Sequence, residues 1–224
     1  MFWPRVGLRN HVQEGRECRL LVWRPGTLLA VGGQGWSVSG AYGRGMSFDW
    51  RAENSEHGIT VAVTDTVDPF APVWARTVDV RCSQDEGPMC LYWLWALTLD
   101  ENTVGDCAAW DSRAERLYHY KGRCWIGLQL RGGAGSQDEQ PATAVVSKIR
   151  DGGVRVCPHT GAIHGNSVDH GLIESAVVIR SDGTSRLRAE LLVAFGNTRE
   201  EADRCLDEAG GPSLVRERSA RRWS

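Results

Sequence analysis

The chain has 224 residues, is 42% hydrophobic, and carries 26 Lys and Arg against 28 Asp and Glu, for a formal net charge of −2. That balance argues against nucleic acid as a partner, because such domains present a basic patch. The longest apolar run, Met89 to Leu99, is about half the length of a membrane-spanning helix, and the amino terminus Met-Phe-Trp-Pro-Arg-Val has no secretory leader pattern. A cytoplasmic protein without a membrane partner is expected.

Sixteen of the eighteen aromatic residues lie at or before Trp125, leaving only Phe195 and Trp223 beyond it. This step divides the chain into an aromatic-rich antiparallel β domain over residues 1–131, a linker or exposed loop over 132–141, a small α+β unit over 142–212 and a basic, disordered tail over 213–224. The fold class expected is mainly β: an antiparallel β-sandwich or barrel followed by a small α+β unit of two hairpins and one helix.

In chain order, apolar segments recur at roughly ten-residue spacing: Cys18 to Trp23, Thr27 to Val31, Trp36 to Ser39, Met46 to Trp50, Ile59 to Thr64, Val73 to Cys82, Leu91 to Leu99 and Arg123 to Leu130. Pro- and Gly-rich turns separate them, and Val, Thr, Trp and Tyr suit a pleated surface. In Val73 to Cys82 the residues alternate, so Trp74, Arg76, Val78, Val80 and Cys82 form the expected core face. Leu91 to Leu99 is apolar on both sides and predicts a central strand covered on both faces. Cys82 and Cys90 bracket the intervening turn and are read as buried, unlinked thiols, since an odd total of seven cysteines points to reduced chemistry.

Beyond the linker, Asp151-Gly152-Gly153 predicts a hairpin between Thr143 to Ile149 and Val154 to Cys157. Ser181-Asp182-Gly183-Thr184 predicts a second between Leu172 to Arg180 and Ser185 to Phe195. Thr198 followed by Glu201 fits a capping box for a helix over Thr198 to Ala209, which Gly210-Gly211-Pro212 terminates.

Two features carry candidate chemistry. Tryptophan is abundant in the first half, and Trp36, Trp50 and Trp110, flanked by turn or polar residues, are the ligand-binding candidates; exposed indoles stack on sugars or anchor protein interfaces. The segment Cys157 to His170 gathers three histidines, a thiol and a carboxylate. His159, His164 and His170 could hold zinc or another divalent transition metal, with Asp169 as base or as a residue orienting a ligand. Cys157 or Ser167 is the candidate nucleophile of a metal-free variant, with a histidine as base. The bland alternative is a polar connecting loop. His119, between Tyr118 and Tyr120, is read as part of a strand surface.

The function expected is a non-catalytic binding or protein-interaction module using an aromatic β-sheet face, with a protein or glycan partner. Its rivals are a metal-assisted hydrolase or lyase built on residues 157–170 and a carbohydrate-binding module.

Overall fold

The computed structural model describes residues 18–83, 87–99, 103–132 and 141–223, without the side chains of 183 and 184. Most of the expected 132–141 linker lies outside them. The strands are β1 (Arg19–Arg24), β2 (Thr27–Ala30), β3 (Ser37–Tyr42), β4 (Ser47–Asn54), β5 (Ile59–Val67), β6 (Val73–Cys82), β7 (Gly87–Trp95), β8 (Cys107–Asp111), β9 (Arg116–Lys121), β10 (Cys124–Gly132), β11 (Thr143–Lys148), β12 (Arg155–Val156), β13 (Ile163–His164), β14 (Val168–His170), β15 (Ile173–Thr184) and β16 (Arg186–Gly196). Two helices close the chain, α1 (Arg199–Ala209) and α2 (Pro212–Arg222). Neither is long and apolar enough to cross a membrane.

The fold is mainly β and antiparallel, a sandwich rather than a closed barrel. One sheet has nine strands in the order β14-β8-β9-β10-β16-β6-β5-β4-β3, and the other has five in the order β11-β15-β7-β1-β2. Alternation decides what each face does. Trp74, Val78 and Val80 of β6, and Leu187, Leu191 and Val193 of β16, meet Leu91, Trp93 and Trp95 of β7 in the core between the sheets. On the far side of β7, Cys90, Tyr92 and Leu94 pack with Trp23 beneath Val154 and Ile163. The central strand is therefore covered on both faces, as its sequence requires.

Three expectations are corrected. The strands after residue 142 do not form adjacent hairpins. β11 pairs with β15, which continues onto β7, while β16 inserts between β10 and β6. Both sheets thus contain strands from both sides of residues 132–141, because an isolated unit of that size buries too little apolar surface, and the clean apolar face of β16 is satisfied inside the larger core. The tail, expected to be disordered, forms α2: Pro212 occupies the first helical turn, where its missing N–H costs nothing. Arg218 ties it down, donating to the buried Asp68 at 2.8 and 2.5 Å. Ser219 Oγ accepts from Met46 N at 2.9 Å, beside Gly45, whose φ of 71° and 2.7 Å clearance to Ser219 O leave no room for a side chain. His119 is fully buried, not on a surface; it lies on β9, which with β8 adds two strands that the apolar spacing left out.

Candidate functional site

Val73, Leu192 and Ala194 pack their outward side chains under the two helices, but the remaining outward residues of β4, β5, β6 and β16 do not continue the apolar pattern. They are Asp49 and Arg51, then Ala62, Thr64 and Thr66, then Ala75, Thr77 and Asp79, then Arg188 and Glu190, and all line one groove of about 860 Å³. Small floor residues between longer charged ones make the sheet face a trough, and Pro212, Ser213 and Arg216 of α2 wall one end. Four neighbouring strands give a floor about 14 Å wide, and the volume lies within the roughly 300–1,000 Å³ of small-molecule sites.

Charges in the groove are mostly neutralised. Asp79 accepts from Arg186 Nε at 2.9 Å and faces Arg188 at 3.4 Å. Burial alone would raise its carboxyl, but the hydrogen bonds from Arg186 and Arg81 outweigh burial and hold it below the ordinary carboxylate range. Asp49 accepts from Thr64 Oγ1 at 2.6 Å and faces Arg216 at 3.6 Å. Glu190 differs: it makes no hydrogen bond or ion pair with any described residue, and Arg131 and Arg188 act on it only at longer range. Burial pushes its carboxyl above the usual 4.5. The groove therefore offers one unengaged acceptor among hydroxyls and guanidinium groups.

The candidate tryptophans do not form one surface. Trp36, Trp50 and Trp110 are each half-buried against the core between the sheets. Trp110 on β8 and Trp50 on β4 stand six strand spacings apart, about 29 Å, too far for one sugar-stacking row. Trp50 does border the groove. Register pairs it with the buried Val63, so its ring is on the core side, where Nε1 donates to Asp65 Oδ2 at 3.2 Å.

The histidine-rich segment is spread over separate elements. His159 is in the turn after β12, His164 on β13 opposite Arg155, and His170 on β14 opposite Cys107; all three are exposed. Among the described residues no group of three or more His, Cys, Asp or Glu is placed to hold a metal. Asp169 instead faces Lys148 at 3.4 Å and accepts from Asn166 Nδ2 at 3.2 Å and His170 N at 2.9 Å. Cys157 starts a turn anchored by the Tyr92 hydroxyl, which donates to Gly161 O at 2.5 Å, and by Trp23 Nε1, which donates to Pro158 O at 2.7 Å. The Thr160 hydroxyl, with the backbone N–H groups of Thr160 and His159, lowers the Cys157 thiol from its usual 9.0. No histidine is positioned as its base by any hydrogen bond among the described residues.

The groove went unrecognised in the sequence because its signal is spread over four strands. One of them was legible: Ala75, Thr77 and Asp79 share the non-core face of β6.

No family model and no curated protein sequence matches the chain. Among solved structures, it resembles a bacterial glucoamylase complexed with acarbose, with a TM-score of 0.68 at 10% identity over 93% of this chain and 31% of that one. The chain thus spans about a third of the glucoamylase it overlays, and at this identity the likeness is one of fold. Heparinase III overlaps 74% of the chain at 9% identity with a TM-score of 0.47, too low to define a shared fold.

Proposed function

We propose that the chain is a non-catalytic binding module that takes a neutral glycan in the groove on the outer face of the nine-stranded sheet. The observation that carries this reading is Glu190, a carboxyl with no hydrogen bond or ion pair among the described residues, on a floor of threonine and alanine beside guanidinium groups that already pair with Asp79 and Asp49. A carboxylate accepting from two neighbouring sugar hydroxyls, with Arg and Thr donating to others, is the match such a site offers; the lining itself sets Asp49, Asp79 and Glu190 against Arg51, Arg188 and Arg216, a balance that gives an anionic ligand no net attraction. The fold it shares with part of a glucoamylase adds a carbohydrate setting. Seven unlinked thiols fit a reducing, cytoplasmic location.

The test is calorimetric titration of the wild type and Glu190→Gln against a panel of soluble neutral polysaccharides. Losing one charged hydrogen bond should weaken binding by about tenfold to a hundredfold. Silence of the wild type across the whole panel, or equal affinity of the two proteins, would overturn the reading.

A further inference from the structure

β3 ends the nine-stranded sheet, and no described strand pairs with its outer edge. All its residues, Ser37 to Tyr42, are exposed, and none is charged or a proline. Edge strands are normally blunted by charge, proline, a bulge or a covering element; among the described residues this one has none of these.

Its backbone polarity can be read from one contact. Gly43 N donates to Ser47 O on β4 at 3.0 Å. Backbone groups of successive residues in a strand alternate sides, so Ala41, Ser39 and Ser37 also face β4, and Val38, Gly40 and Tyr42 point their N–H and C=O groups outward. The side chains of Val38 and Tyr42 lie on one face of the sheet and are 55% and 90% exposed. Between them Gly40 leaves room for Phe48, whose Cζ would sit 2.8 Å from any Cβ there. The Phe48 ring packs on Tyr42 at 5.2 Å between centroids.

We propose that the outer edge of β3 is a homodimer interface, in which two copies pair antiparallel about a twofold axis at Gly40. The pattern apolar, glycine, apolar reads the same from either end, so the rotation sets Val38 opposite the partner's Tyr42, Tyr42 opposite the partner's Val38, and Gly40 opposite the partner's Gly40. These are the residues whose backbone groups point outward, so the central register satisfies every one of them, whereas a shift by two residues strands some. Each exposed Val38 gains an aromatic neighbour, and the neutral edge carries nothing that selects a differently charged partner. The two grooves would then lie on one continuous sheet, so a polymeric ligand could engage both.

Sedimentation velocity of the full chain over a wide concentration range tests this, together with amide hydrogen exchange. The wild type should sediment at twice the chain mass at high concentration, with the amides of Val38, Gly40 and Tyr42 protected. The double variant Val38→Asp, Tyr42→Asp sets like charges opposite each other and should halve the mass and unprotect these amides, while the far-ultraviolet circular dichroism stays that of the folded β protein. The pair Val38→Lys, Tyr42→Glu sets opposite charges across the interface and should restore the dimer. The proposal is overturned by a wild type monomeric throughout, by a dimer that survives the aspartates, or by a charge-complementary pair that stays monomeric. Protection of the three amides in a monomer would also overturn it, since a segment of the same chain would then cover the edge.

Discussion

Arg76 on β6 grips Asp65 on β5 with Nε to Oδ1 at 2.6 Å and Nη2 to Oδ2 at 2.7 Å, although its own side chain is only 1% exposed. The guanidinium also lies over the Trp74 ring at 4.7 Å and near Trp50 at 5.8 Å. A cation thus sits on the core face of a central strand, compensated on one side by a carboxylate and on the other by indole faces.

Removing Arg76 leaves the Asp65 carboxylate, 20% exposed, with the Trp50 indole N–H alone, at a cost of about 3 kcal/mol, the low end for breaking a buried pair. Arg76→Ala should lower the unfolding free energy in urea by that order. The double change Arg76→Leu with Asp65→Leu should recover much of the loss, because apolar replacement of both partners is often close to neutral. A single variant as stable as the wild type would show that the pair is solvated.

Glu190 should oppose binding and stability to each other. Its folded carboxyl holds a proton more tightly than the unfolded one, so the contribution it makes is greatest below 4.5 and is lost as pH rises through the raised folded value. Glu190→Gln should therefore melt higher than the wild type at neutral pH, with the difference closing as pH falls to about 4, while glycan binding is impaired. A variant that melts lower at neutral pH would contradict the half-buried, unpaired state of this carboxyl among the described residues.

His119 contributes with the opposite dependence. Complete burial pushes its imidazole down from 6.5 to about 3, and Nε2 lies 2.7 Å from Ser175 Oγ. The unfolded chain takes up a proton that the folded chain refuses, so this stability is complete above 6.5 and declines as pH falls toward 3, by about 1.4 kcal/mol per pH unit. His119→Gln should flatten that part of the pH-stability curve, at a cost at neutral pH if Ser175 is left without a partner. An imidazole signal titrating near 6.5 in the folded protein would refute the assignment.

Cys157 should be the most reactive of the seven thiols. The Thr160 hydroxyl stabilises its thiolate, whereas burial pushes the Cys90 and Cys205 thiols up. Brief alkylation at neutral pH followed by peptide mass mapping should label Cys157 first, and Thr160→Val should slow that labelling severalfold. Preferential labelling of Cys90 would show instead that the outer layer over β7 opens readily.

Local features of the chain were readable where local forces set them. The β6 alternation names its core face correctly, even placing Arg76 inward, and Thr198 does cap α1 by accepting from Glu201 N at 3.2 Å while Glu201 reaches back to Asn197 N at 2.7 Å. The Gly-Gly-Pro stop also proved to be a start, since Gly210 in the left-handed region ends one helix and Pro212 opens the next. The three histidines suggested a site by proximity in sequence, but short strands in two different sheets carry them apart.

Turn dihedrals, side-chain alternation and helix caps act over a few residues, so composition and spacing alone determine that this chain is an antiparallel β protein with a capped helix after its last strand. Which strands become neighbours was decided only by tertiary structure. Arg186 meets Asp79 across 107 residues of chain, a pairing chosen because the apolar face of β16 finds its deepest burial there and not beside the strand before it. The groove and, among the described residues, the unpaired Glu190 carboxyl and outer edge of β3 depend on which residues were left facing outward once the core had closed.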